Sequence, residues 1–275
     1  MTNQAMSADQ QQQLKLRYGS DHVPATGPWN DVLSGLLSHR SVRRYDPRPL
    51  AADTLGTLIA AAQSAATSSN LQCWSVISVT DKGLRSELME IAGDQKHIAQ
   101  CPLFLVWLCD LSRNDRLGQA RGLDLDALQL TESFLVGVVD AALAAQNAVV
   151  AAESLGLSTV YIGALRNDAR RVAELLKLPP GVVAVFGLCV GYASGHSEVK
   201  PRLPQEAVLF ENHYGVDKET EIHHAYDQTL ADFSARNGMG ELSWSQRVID
   251  RLQHKALSGR AKLKSILEDL GLPLR

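Results

Sequence analysis

An α/β layered fold is what the sequence predicts, on three observations. Apolar, β-branched runs recur at 76–80, 103–110, 158–163 and 182–192; segments of helical periodicity separate them; and 45% of the 275 residues are hydrophobic, enough to bury a large core. Strands that alternate with helices share a sheet covered by those helices, because each element has an apolar face to hide.

Residues 1–28 are polar, with a short helical pattern around Gln11 to Arg17, and end in "PATGPW", whose Pro and Gly break regular structure. They read as an N-terminal extension. The core is expected over 29–204. Asn30 is placed to cap a short helix ending near His39, and Asp53 to cap another whose alanine-rich body runs towards Ala66. "TSSN" interrupts it. "VISVT" then reads as a strand and "LFLVWLCD" as a more buried one. From Thr131 to Leu155 runs a long apolar helix with alanines at 141, 142, 144, 145, 148, 151 and 152. Small side chains let backbones approach closely, so this helix belongs in a core or a subunit interface. "STVYIG" and "VVAVFGLCVGY" are strands separated by the helix "DARRVAELLKL". After Pro204, residues 205–275 read as helices only, at 218–236, 245–256 and 260–270, broken by "RNGMG". This tail is expected to cover the core and a partner subunit.

With 27 basic against 30 acidic side chains, no excess positive field draws the chain to nucleic acid or an anionic membrane. Any anion must be held locally. The four cysteines have neither CxxC pairing nor secretory spacing and read as buried, reduced thiols. The N-terminus lacks a signal-peptide pattern, and no stretch offers about 18 uncharged apolar residues, so a cytoplasmic protein is expected. GxGxxG after a strand, GxxxxGK[ST], HExxH and GxSxG do not occur. His223 and His224 lack partners at metal spacing, so no metal site is expected; His97 and His213 read as hydrogen-bonded surface or supporting groups.

Three clusters remain. "SHRSVRRY" gathers His39, Arg40, Ser41 and Arg43; "SSNLQ" holds Ser68, Ser69, Asn70 and Gln72; "KPRLP" holds Lys200 and Arg202. Arginine offers a planar fork to phosphate oxygens, lysine a point charge, and a serine hydroxyl fills remaining acceptor sites. The combination suits a phosphate monoester, and a single such cluster also suits a solvated turn.

The blocks "HRSVRRY", "SSNLQCWSVISVTD", "GDQKHIAQ", "GVVDAALAAQNAVVAAESLGLSTVYIGALRND", "VFGLCVGY" and "KPRLP" occur in the order found in the oxygen-insensitive NADPH nitroreductase and NADPH-flavin oxidoreductase family, which the chain resembles from His39 to Arg275. The resemblance implies an α+β fold, a three-layer α/β/α sandwich with a mixed, mainly antiparallel sheet, as a homodimer binding FMN. It implies that His39, Arg40 and Ser41, with Lys200 and Arg202, surround the FMN phosphate. Arg43 and Gln95 match groups at the flavin pyrimidine edge, and Ser68, Ser69, Asn70 and Gln72 match a flanking loop. Tyr161, Ile162, Gly163 and Ala164 match a segment passing the reactive nitrogen, with Ala164 standing where relatives carry glycine. Arg236 and Arg260 match arginines associated with nicotinamide or substrate, but neighbouring basic residues are missing. The implied activity is two-electron, ping-pong reduction of a small-molecule acceptor (nitroaromatic, quinone or free flavin) by NADPH, with NADH as the alternative donor and no side chain as nucleophile. Reductive dehalogenation on the same scaffold and a flavin-binding redox module without turnover are the competing expectations.

Overall fold

The computed structural model describes residues 6–20, 23–240, 242–272 and 274–275; the first five residues of the polar N-terminal segment and Glu241, just after the tail break, lie outside the described residues. In chain order the helices and strands are α1 (Ala8–Tyr18), α2 (Asp31–Leu37), α3 (Thr54–Gln63), β1 (Trp74–Ser78), α4 (Lys82–Ile91), α5 (His97–Gln100) and β2 (Leu103–Asp110). After these come α6 (Ser112–Ala120), α7 (Thr131–Ser154), β3 (Ser158–Ile162), α8 (Ala169–Leu175), β4 (Val182–Gly191), α9 (Glu219–Arg236), α10 (Trp244–Leu252) and α11 (Leu263–Asp269). Two compact units are assembled from discontinuous chain: Met1–Arg40 with Ser197–Ala256, and Ser41–His196 with Leu257–Arg275.

In the larger unit the strands run in the order β1-β2-β4-β3 and each neighbouring pair is antiparallel. Ser41 adds a parallel bridge to Thr159, so the sheet is mixed and mainly antiparallel, as expected from the resemblance. Period-two alternation in β2 builds the layers. Phe104, Val106 and Leu108 enter one cluster with Leu88 of α4, Ile98 of α5 and Val172 of α8. Leu103, Leu105 and Trp107 enter the opposite cluster with Leu58 of α3 and Ala144, Ala145 and Ala148 of α7. All eight β2 residues are buried, which is why the strand reads as an unbroken apolar run from Leu103 to Cys109.

By length and composition α7 passes for a membrane span, yet it carries the buried Asp140 and rests on the sheet. Its contact is close at Gly137, where an added methyl would overlap Cys109 Sγ and press on Cys73 O at 3.2 Å. Gly137→Ala is therefore expected to lower stability by about 1–3 kcal/mol through overpacking. Gly56→Ala in α3, where a methyl meets nothing within 4 Å, is expected to hold or raise it by up to about 1 kcal/mol. Urea unfolding of the two variants side by side checks the contrast.

Several boundaries differ from expectation. The first strand begins at Trp74, ahead of its β-branched run, because Trp74 and Ser75 pair with Cys109 and Leu108 across the ladder. Asp53 sits at the N-cap of α3 with φ 62° and makes no side-chain cap; the helix ends at Gln63, short of Ala66. The helix expected over 245–256 stops at Leu252, and a 3-10 segment kinked at Ser258 follows.

The smaller unit contains α1, α2, α9 and α10. Ser7 and Gln10 form a reciprocal capping box on α1, whose end is closed by Gly19 at φ 64°. Asn30 accepts from Leu33 N at 3.1 Å and starts α2, as its sequence position predicts. Ile222, Tyr226, Leu230 and Phe233 give α9 its buried stripe.

Candidate functional site

Within the smaller unit, both basic clusters converge on one guanidinium. Arg17 Nη2 donates to Leu37 O at 2.6 Å and to His39 O at 2.7 Å, while its Nη1 donates to Lys200 O at 3.1 Å. Arg202 N donates to Arg17 O at 2.8 Å. The backbone of His39–Arg40 is thereby brought beside that of Lys200–Arg202, with Arg40 and Arg202 exposed and His39 and Lys200 half-buried. Sequence reasoning missed Arg17, which reads only as a cation in the last turn of a polar helix.

In the larger unit, Ser41 bridges Thr159 and Val42 N donates to Thr159 O at 3.0 Å. The segment of Ser41 and Arg43 thus runs along β3, which leads into Tyr161, Ile162, Gly163 and Ala164. The Tyr161 ring meets Phe186 edge-on with centroids 4.9 Å apart, and its hydroxyl donates to Gln146 Oε1 at 3.3 Å. Burial, followed by the charge of Glu153, raises its phenol pKa. Beside Gly163 a methyl would meet Arg166 Nη2 at 3.2 Å, so glycine here makes room for that guanidinium, which donates to Val185 O. Ala164 packs on the core cluster around Leu165.

The loop of Ser68, Ser69, Asn70 and Gln72 carries backbone strain. Ser69, Asn70 and Gln72 have φ of 47°, 56° and 51°, a region costly for residues with a Cβ. A buried carboxylate holds the loop: Asp140, 2% exposed on α7, accepts from Thr67 Oγ1 at 2.7 Å, Ser68 N at 3.1 Å and Cys73 N at 3.0 Å. Thr67 Oγ1 in turn accepts from Gln72 N at 3.0 Å. An acid inside an alanine-rich apolar helix is a signal of this role that the sequence carries.

Gln95 donates to Ala92 O at 2.8 Å. Two residues on, His97 departs from expectation: it is buried, and its Nε2 has no hydrogen-bond partner among the described residues. Burial foremost, and then the charge of Arg43, lower its pKa, so the ring is neutral at pH 7. The unfolded chain takes up this proton near pH 6.5, and the folded chain resists it. The contribution of His97 to stability is therefore complete above that pH and is lost as pH falls through the lower folded value. His97→Leu is expected to flatten the decline in melting temperature as pH falls below about 6.5; a decline as steep as in the unmodified protein would count against this.

The two arginines matched to nicotinamide or substrate lie in different units. Arg236 Nε stands 3.9 Å from Glu198 Oε2, which also accepts from Asn237 Nδ2 at 3.0 Å. It borders a cavity of about 260 Å³ shared with Lys15 and Phe233. Arg260 Nε donates to Asn167 Oδ1 at 2.9 Å. All four cysteines are buried free thiols.

A mainly antiparallel sheet between two helical layers, with a strained hydroxyl loop, defines an α+β protein, and in the smaller unit two basic segments are drawn together. The chain belongs to the nitroreductase family. The family model matches residues 36–192, and the model of the family's C-terminal domain matches 200–275. The chain is 39% identical over 231 residues to an FMN reductase (NADPH) of Bacillus subtilis, covering 82% of this chain and 93% of the relative. It is 42% identical over 216 residues to an oxygen-insensitive NADPH nitroreductase of Salmonella typhimurium, covering 78% and 87%. The solved structure of the NADPH:FMN oxidoreductase from Vibrio harveyi, complexed with NAD+, superposes with a TM-score of 0.81 at 37% identity, covering 90% of this chain and all of that one.

Proposed function

We propose that this protein is an FMN-dependent oxidoreductase that uses NAD(P)H to reduce nitroaromatics, quinones or free flavin. The match to the nitroreductase family across both segments carries this reading. The donor set fits the cofactor, since arginine forks, a lysine and serine hydroxyls satisfy a phosphate monoester, and Asp140 fixes the Ser68–Gln72 loop before any ligand arrives.

His39, Arg40, Lys200 and Arg202, which share the smaller unit, would hold the phosphate, and the family resemblance assigns Ser41 the same role. Arg43, Ser68, Ser69, Asn70, Gln72, Gln95 and the Tyr161–Ala164 backbone would hold the ring system. FMN, when bound, supplies reversible two-electron transfer between nicotinamide and acceptor. Arg43 contributes a fixed positive charge where negative charge develops, and Gln95 a preorganised amide. No side chain acts as nucleophile. The chain would work as a homodimer, which is supported by an apolar strip left exposed on α7 at Leu135, Val139 and Leu143. With FMN supplied, the purified protein is expected to oxidise NADPH when a quinone or nitroaromatic is added; no oxidation of either nucleotide would overturn the proposal.

Donor choice turns on Arg236 in this reading. Its neighbour Glu198 already occupies part of the guanidinium's charge and opposes a second anion, so NADPH is expected to be preferred by a modest margin. One arginine–phosphate contact contributes about 1.5–3 kcal/mol, or one to two decades. Arg236→Ala should raise the KM for NADPH and leave the NADH reaction nearly unchanged. Equal losses with both donors would remove Arg236 from the specificity argument.

A further inference from the structure

We infer that the N-terminal helix α1 is a working part of the anion site, with Arg17 as its positioning residue. This rests on the reading of His39, Arg40, Lys200 and Arg202 as phosphate-binding groups. Arg17 lies ahead of residue 36, where the family match begins, and α1 belongs to the smaller unit together with both basic segments.

Three contacts carry the inference. Arg17 is 7% exposed, and its guanidinium donates to carbonyls on either side of the site, Leu37 O and His39 O from one cluster and Lys200 O from the other. The α1 backbone closes the second cluster from the other direction, since Arg17 O accepts from Arg202 N at 2.8 Å. Finally, α1 ends flush on the same segment: Gly19, at φ 64°, leaves no room for a side chain against Thr229 or the Pro201 ring, where an added methyl would stand 3.0 Å away. Tyr226 from α9 fixes Pro201 O at 2.8 Å.

The physical role follows from the geometry of guanidinium. Its N–H groups lie in one plane at fixed angles, so carbonyls from two chain segments that share it are held at one separation. The backbones that carry His39, Arg40, Lys200 and Arg202 are thereby held at a fixed spacing before phosphate binds. Arg40, Lys200 and Arg202 are like charges that oppose their own assembly, and the hydrogen bonds from Arg17 to the backbone carbonyls hold the two segments together against that tendency. Arg17 need not touch the ligand. It acts through the backbone of the residues that do.

A ligand pair separates this role from general support of the fold. FMN and riboflavin share the ring system, and only FMN carries phosphate. The flavin is removed, the apoprotein's melting temperature is recorded, and each flavin is titrated by fluorescence quenching. Arg17→Ala is expected to weaken FMN about ten- to a hundredfold, by analogy with the loss when a residue that orients a metal ligand is removed, while riboflavin binding stays within about twofold. Arg17→Lys, whose ammonium is a point donor rather than a planar fork, is expected to fall between and serves as the variant if alanine does not fold. Equal weakening of both flavins, or no change in either, overturns the inference. The Lys200→Ala/Arg202→Ala protein keeps the two levels apart. Loss of FMN there with full retention in the Arg17 variants removes only the role of α1; retention in both removes the phosphate-site assignment as well; failure of the unmodified protein to bind FMN removes the cofactor reading itself.

Discussion

Replacing Lys200 and Arg202 together by alanine is expected to yield protein that purifies mostly without flavin. Both residues sit in the segment that Arg17 and Tyr226 fix through Lys200 O, Pro201 O and Arg202 N, so their side chains start from an ordered backbone and lose little further freedom on binding. Each charge-assisted bond to phosphate contributes about 1.5–3 kcal/mol, and the pair about two to four decades in FMN affinity. The truncated side chains make long contacts, Arg202 Nη1 to Lys200 O and Pro201 O at 3.4 and 3.5 Å and Lys200 Nζ over Phe233 at 5.9 Å, while Arg17 and Tyr226 still fix the backbone, so the melting temperature of the apoprotein should fall only a little. Full flavin retention by the double variant would contradict the assignment of these residues.

Asp140→Ala is expected to have the largest effect on stability of any single change considered. It strips an acceptor from Thr67 Oγ1, Ser68 N and Cys73 N, and a buried donor without a partner carries its full desolvation cost. Two backbone donors and a hydroxyl together place the loss at about 3–5 kcal/mol, a large share of the stability of an ordinary domain. The strained φ values at Ser69, Asn70 and Gln72 would have less to hold them, so FMN affinity should fall along with the urea midpoint. Asp140→Asn, which retains one carbonyl acceptor, should lie between. A loss below about 1 kcal/mol would show that the loop is held by other means.

Much of this architecture was legible in the residues. The bounds of β2 are legible because all eight positions are buried, and those of α7 to within one residue because its alanines mark the buried face. The antiparallel order of the sheet was not legible from alternation alone; it entered through family resemblance, since strand direction depends on how each connection returns and not on local pattern. The early start of β1 and the uncapped Asp53 were set by tertiary pairing and by a left-handed backbone that no propensity announces. At the site, the exposed cations and hydroxyls were conspicuous because apolar packing does not explain them. The groups that position them, Arg17 and Asp140, were not, because a buried charge is recognisable only once its partners from distant parts of the chain are in place. His97 escaped for the same reason: its burial depends on the fold around α5, not on its neighbours in sequence.

The most direct test of the central claim is the visible absorbance spectrum of the purified protein, followed by anaerobic titration with NADPH. The account predicts a flavin spectrum with one FMN per chain that bleaches as about one equivalent of NADPH per flavin is added, a two-electron donor meeting a two-electron acceptor. A colourless protein that takes up no added FMN, or a bound flavin that neither NADPH nor NADH reduces, would contradict it.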